Sequence, residues 1–270
     1  MKKFLLISLM ILLAVLILFP FLWMLSTSLK PLAQVASLPP KWVTPGMSLA
    51  AYRDMFRFLP FGTFTLNSLY IACTATLLSL FIGILAAYAL ARLSFRGKTM
   101  LLLLFLLSQM LPGSSIIIPL FQLIRSLGLY DTLFGLILTH TAVIIPFVIW
   151  LLYGFFKSIP AEIEQAALVD GCSHMRALYK VSLPLLLPGI GATALFAFLS
   201  SWNEFFFSMI LTSSDMKRTI PVGIGLFVGE FTEVWNQMCA AAIFFSLPPF
   251  LLFLLLQKTF VKGLSAGAVK

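Results

Sequence analysis

Charge is the scarcest property of this sequence. Only 10% of its 270 residues are Asp, Glu, Lys or Arg, against about a quarter in an ordinary soluble domain. With 61% hydrophobic residues and a mean hydropathy of +1.06, the chain has too little polar surface to cover one water-soluble core. Lipid must be the solvent for much of it. Cysteine is almost as sparse. Cys73, Cys172 and Cys239 lie far apart and form no CxxC, which argues against a disulfide framework and a cysteine zinc site. Cys73 and Cys239 read as small apolar fillers. His140 and His174 are the only histidines, and no HExxH, GxSxG or carboxylate cluster occurs. Gly97-Lys98-Thr99 looks like the end of a phosphate-binding loop, but that motif needs a glycine at position 92, where Arg stands. An intramembrane enzyme would therefore lack a catalytic cluster.

The charge that is present is positive, +9 net. A nucleic-acid site would gather it into one patch. Here it is dispersed in short segments between apolar runs, as membrane topology is encoded. Six segments can cross about 30 Å of hydrocarbon as helices. They are 4–26, 63–91, 99–122, 134–156, 186–211 and 239–258. The first follows Lys2-Lys3 in the manner of a signal peptide. Its apolar run of about 22 residues exceeds the ~7–15 of a signal h-region, so an uncleaved first span is expected.

With the N-terminus placed in the cytoplasm, the inner segments hold Lys2, Lys3, Arg92, Arg96, Lys98, Lys157, Arg176, Lys180, Lys258, Lys262 and Lys270. The outer segments hold Lys30, Lys41, Arg53, Arg57, Arg125, Lys217 and Arg218. The bias, eleven to seven, predicts that both termini are cytoplasmic. Outer loops are expected at 31–61, 123–133 and 213–238. Pro39-Pro40 and Pro45-Gly46 punctuate the first. The last carries Pro221, Gly223, Gly225 and Gly229, and is expected to hold a short re-entrant or interfacial element. Gly225 and Gly229 have GxxxG spacing but lie outside an apolar run, so loop flexibility accounts for them. His140, Gln109 and Asn67 read as helix-packing hydrogen-bonders. No internal repeat is visible, and 1–270 reads as one all-α membrane domain.

The loop between spans four and five, 157–185, carries its own pattern. Pro160 suits a helix start, and Glu162 and Glu164 favour the positive N-terminal end. Ile163, Ala166, Ala167 and Asp170 share one helical face. Gly171 suits a left-handed C-terminal cap. Ser173 can cap a second helix, which carries Arg176 and Lys180 and which Pro184 is expected to end. A short helix with two alanines lets a partner approach closely, so the loop reads either as a docking knob or as an ordinary amphipathic interfacial loop. The residues alone leave both open.

The segment resembles the EAA loop of ABC importer permeases, whose pattern is Glu-Ala-Ala, three residues, Gly, nine residues, Ile-x-Leu-Pro. This sequence has Gln165-Ala166-Ala167, Gly171 and Val181-Ser182-Leu183-Pro184 at the same spacing. Its departures are Gln165 for Glu and Val181 for Ile. Asn67-Ser68-Leu69, the run from Ala86 to Arg92, Phe95 to Lys98, Ser201 to Phe205 and the tail from Gly263 to Lys270 look like the carbohydrate branch of that family. More narrowly, they are similar to the maltose-type second permease subunit.

That resemblance implies the six-helix type I permease fold, with no ATPase site and no cofactor in this chain. It implies a second related permease, two cytoplasmic ATPase subunits using ATP and Mg, an extracytoplasmic solute-binding protein and a sugar substrate. The membrane would be the cytoplasmic (inner) membrane of a bacterium or archaeon. Glu164, Gln165, Ala166, Ala167, Asp170, Gly171 and Pro184 would form the ATPase-coupling loop, with Glu164 able to stand in for the charge that Gln165 lacks. Glu204 inside span five is costly in lipid and marks either a polar pathway or an interhelical or interfacial partner. With Trp202 and Asn203 it offers the aromatic and polar groups that sugars are met by. Two other functions compete. One is a permease of the same family for glycerol-phosphate or another small solute. The other is a gradient-driven secondary transporter, which would carry inverted repeats, broken helices and several intramembrane acids.

Overall fold

Apolar length decides the architecture. A computed structural model describes residues 2–227 and 234–268, and its regular elements are all helices, with no strand among the described residues. Gly229, Val269 and Lys270, and the side chains of Lys2, Lys258 and Lys262, lie outside what is described. The longer helices are α1 (Lys2–Leu29), α2 (Ala50–Phe58), α3 (Phe61–Arg92), α4 (Lys98–Met110), α5 (Gly113–Ser126), α6 (Leu133–Ser158) and α7 (Ala161–Val169). There follow α8 (His174–Trp202), α9 (Phe206–Leu211), α10 (Ile220–Gly225) and α11 (Trp235–Ala268). Five helices are long and apolar enough to cross a membrane: α1, α3, α6, α8 and α11. Six spans result if the bent pair α4 and α5 counts as one.

The third span is not the single helix expected over 99–122. It folds back by 100° between Met110 and Gly113. Leu111 adopts ψ 124° because it precedes Pro112, whose ring disfavours the helical region for its neighbour, and Pro112 itself sits at φ −64°, ψ 132°. The fifth span also departs from expectation. Pro184 does not end the second loop helix, because the chain runs helically from His174 to Trp202. A π-helical turn over Leu178–Ser182 precedes it. Pro184 stands at the second position of the α-helical run that begins at Leu183 directly after this turn, a first-turn place where a proline is tolerated. The span then breaks at Asn203 and resumes as the short α9. In the last outer loop, α10 supplies the short element expected there, and α11 begins at Trp235, earlier than position 239.

The chain divides into two compact units. In residues 1–65 with 220–248, α1 and α2 are joined by Ser28 Oγ and Tyr52 OH, 2.8 Å apart. The Lys30 ammonium lies 4.2 Å from the centroid of the Trp23 ring. In residues 66–219 with 249–270, one core gathers Ala87, Tyr88, Val148, Leu152, Phe156, Leu178 and Leu186 from α3, α6 and α8. A second gathers Ile71, Ile124, Leu136, Ile137, Phe207 and Leu211. Asn67 Nδ2 donates to the carbonyls of Met216 (3.0 Å) and Arg218 (2.9 Å), and Gln109 Nε2 donates to that of Val143 (3.3 Å), so both act as packing hydrogen-bonders.

Candidate functional site

Two places in the second unit carry the residues selected from the sequence. The first is the loop after α6. Pro160 caps α7 with φ −55° and ψ 131°, and Gly171 ends it at φ +86°. The Gly171 amide donates to Leu168 O (3.1 Å) and the Cys172 amide to Ala167 O (3.0 Å). This paired pattern satisfies two helix-end carbonyls and needs a left-handed residue at position 171. Ser173 Oγ accepts from the Arg176 amide at 3.3 Å and starts α8. The helix–break–helix expected from the sequence is therefore present, with its cause in the two caps.

The faces of α7 are now distinguishable. Gln165, Ala166, Val169 and Asp170 are exposed, Val169 at 88%, and Ala167 is half-buried. Glu164 points the other way and is 4% exposed. Its carboxylate accepts from Arg92 Nε at 2.7 Å, and Arg92 Nη2 also donates to Ile159 O at 3.1 Å. This corrects the expectation that Glu164 replaces the charge missing at Gln165: a carboxylate buried against α3 presents no charge to a docking partner. Pro184 lies inside α8, on its exposed side.

The second place is the break between α8 and α9. The two oxygens of Glu204 accept from the amides of Phe207 (2.7 Å) and Ser208 (2.9 Å) and from Ser208 Oγ (2.9 Å). This caps the first turn of α9, where amides lack helical partners. His140 Nε2 lies 3.3 Å from Glu204 Oε2 and 3.3 Å from Ser208 Oγ, and His140 Nδ1 lies 2.7 Å from Ser201 Oγ. His140 is thus the interhelical bridge expected of it, tying α6 to both sides of the break. Trp202 is 1% exposed, with its ring stacked on Phe198 at 5.5 Å, so it offers no open face for stacking a sugar. Asn203 is exposed, and its Nδ2 donates to Leu199 O at 2.8 Å.

Arg92, Ser201 and Ser208 complete these sites and were not singled out for them. Arg92 stands 72 positions from Glu164, and no periodicity links such distant residues.

Residues 79–266 match the family described as the binding-protein-dependent transport system inner membrane component. The chain belongs to that family. It is the membrane permease subunit of an ABC importer, a class that works with separate ATPase and binding-protein partners. The permease is 38% identical over 253 residues to the sulfoquinovosyl glycerol transport system permease of Agrobacterium fabrum, covering 94% of this chain and 89% of that protein. It is 37% identical to the trehalose transport system permease of Mycobacterium tuberculosis, covering 94% and 92% of the two chains. Against the trehalose/maltose transport system permease of Thermococcus litoralis it is 34% identical, covering 100% and 98%. Its fold matches a solved bacterial ABC transporter involved in import of the acidic polysaccharide alginate, with a TM-score of 0.78, 25% identity and 96% of each chain covered. Several apolar spans and this family membership place the permease in the inner membrane as a multi-pass protein.

Proposed function

We propose that this permease forms one half of a pathway for a sugar or oligosaccharide, released to it by an extracytoplasmic binding protein. A second related permease supplies the other half. Two ATPase subunits dock on the 157–185 loops and hydrolyse ATP with Mg. Both termini and this loop face the cytoplasm. The saccharide class rests on what the relatives are named for.

One observation carries the docking assignment. The outward side of α7 is centred on Gln165, Ala166 and half-buried Ala167, flanked by the exposed Glu162, Val169 and Asp170 and ended sharply by Gly171. Small side chains let a cleft close around the helix, and the left-handed cap fixes where the helix stops. Closure of the ATPase pair draws the loops together and opens the pathway outward. Hydrolysis returns it to the inward-facing state, so the loop must bind differently in the two states. Because Glu164 is committed inside the permease, docking at position 165 uses the Gln amide and shape rather than an ion pair. Within the span, Asn203 is the exposed polar group at the α8–α9 break. It meets solute hydroxyls, while Trp202 and Glu204 hold the break that presents it.

Reconstituted with its partners in proteoliposomes, the permease should take up labelled trehalose or maltose with ATP and show no dependence on a proton gradient. Uptake abolished by an ionophore but indifferent to ATP would refute the proposal. Gly171→Val places a β-branched residue at φ +86°, a strain of roughly 1–2 kcal/mol. It should leave membrane insertion intact while ATP hydrolysis continues without transport. Normal uptake in that variant would remove the docking role from the loop.

A further inference from the structure

Resting on the docking reading above, we infer that the last turn of α3 is the strut that passes movement of the docking loop into the membrane-spanning helices. Arg92 and Tyr88 are its positioning residues.

They stand one helical turn apart on α3, so they project on the same side. Between them they hold three points of the loop. Arg92 Nη2 binds the Ile159 carbonyl at the end of α6 (3.1 Å), and Arg92 Nε binds Glu164 in the first turn of α7 (2.7 Å). Tyr88 OH donates to the His174 carbonyl at the start of α8 (3.2 Å). The grip is buried. The Arg92 and Glu164 side chains are 10% and 5% exposed, and the Tyr88 ring packs 5.6 Å from that of Phe156.

Two properties distinguish a strut from a loop that merely touches a helix. The fork of one guanidinium engages two different elements at once, which fixes direction as well as distance. The pair is also desolvated, so it is not screened as an exposed pair would be. A pull on the outward face of α7 must then displace α3, because α7 cannot move without either carrying Arg92 or leaving Glu164 buried and unpaired. Arg92 could have served only as one of the positive charges that set topology. Lysine would do that equally well, but its single ammonium cannot span Glu164 and Ile159 with fixed geometry.

The test uses the full importer complex in proteoliposomes. Uptake of labelled trehalose or maltose is measured per ATP hydrolysed, beside cross-linking of an Ala167→Cys permease to its ATPase. Arg92→Lys should cross-link as the parent does, yet move roughly tenfold less solute per ATP. The double variant Arg92→Ala/Glu164→Ala leaves no lone buried charge, so it should fold and cross-link while showing the same loss. Tyr88→Phe should show a smaller loss in the same direction. Parental transport per ATP in both Arg92→Lys and the double variant, with cross-linking intact, overturns the strut. Absence of cross-linking in the otherwise unaltered complex overturns the docking reading itself, and the strut with it.

Discussion

His140 and Glu204 meet at 3.3 Å between α6 and the break that separates α8 from α9. The imidazole is 2% exposed, and its other nitrogen is held by Ser201. One histidine therefore fastens both ends of an interrupted span. A helix break leaves the first amides of the resumed helix without helical acceptors, and Glu204 with Ser208 supplies the missing acceptors and links.

It follows that Glu204→Ala should cost about 1–2 kcal/mol through loss of the cap, lowering the thermal midpoint of the detergent-solubilised permease. Glu204→Gln keeps an amide oxygen for the Phe207 or Ser208 amide and should fall between the two. His140→Ala should destabilise as well, by less than the sum when combined with Glu204→Ala, because the residues share one network. Additive losses in a melting series would show that they act separately.

Gly189 makes a second close fit. A β-carbon at this position would stand 2.6 Å from Cγ of Phe155, inside contact distance of an aromatic ring packed between α6 and α8. Gly189→Ala should cost about 1–3 kcal/mol by overpacking. In a Phe155→Leu background the same change should cost less than half as much. Equal costs in the two backgrounds, read from thermal midpoints, would mean that the ring does not set the approach of these helices.

Asp131 closes the turn after α5 onto the chain after α9. Its carboxylate accepts from the Ser213 and Ser214 amides at 2.9 and 3.0 Å, and from the Ser214 hydroxyl. Burial raises its pKa, but these hydrogen bonds from Ser214 and Ser213 outweigh that, so the group titrates below its usual range. A depressed folded pKa means that its stabilising contribution is complete above the ordinary aspartate range and fades as pH falls through the lowered folded value. Protection of the Ser213 and Ser214 amides from hydrogen exchange should therefore hold at neutral pH and weaken in acid. Asp131→Asn should weaken it already at neutral pH and remove most of the acid dependence. An unchanged acid profile in that variant would refute the role of this carboxylate.

The sequence by itself determined the solvent and the chain's passage through it. Scarce charge and apolar runs of helical length leave no alternative to membrane helices, because an unpaired backbone amide is too costly in lipid. Local chemistry was equally legible where its cause is local. Gly171 and Ser173 announced the caps around α7, since a left-handed residue and a hydroxyl acceptor act on neighbours only a few positions away. What only the tertiary structure decided is direction. Glu164 and Gln165 are adjacent in sequence and both polar, yet the charged one is buried against Arg92 and the neutral one exposed. Trp202, which could have stacked on a solute, is covered by Phe198. Pro184, a stop signal in isolation, lies within a helix, in the first α-helical turn after a π turn. The first outcome depends on a residue 72 positions away, the second on which helix face the packing covers, and the third on a backbone adjustment, none of which the sequence pattern fixed. Only packing can choose which of two neighbouring polar groups is paired inside and which is left for a partner.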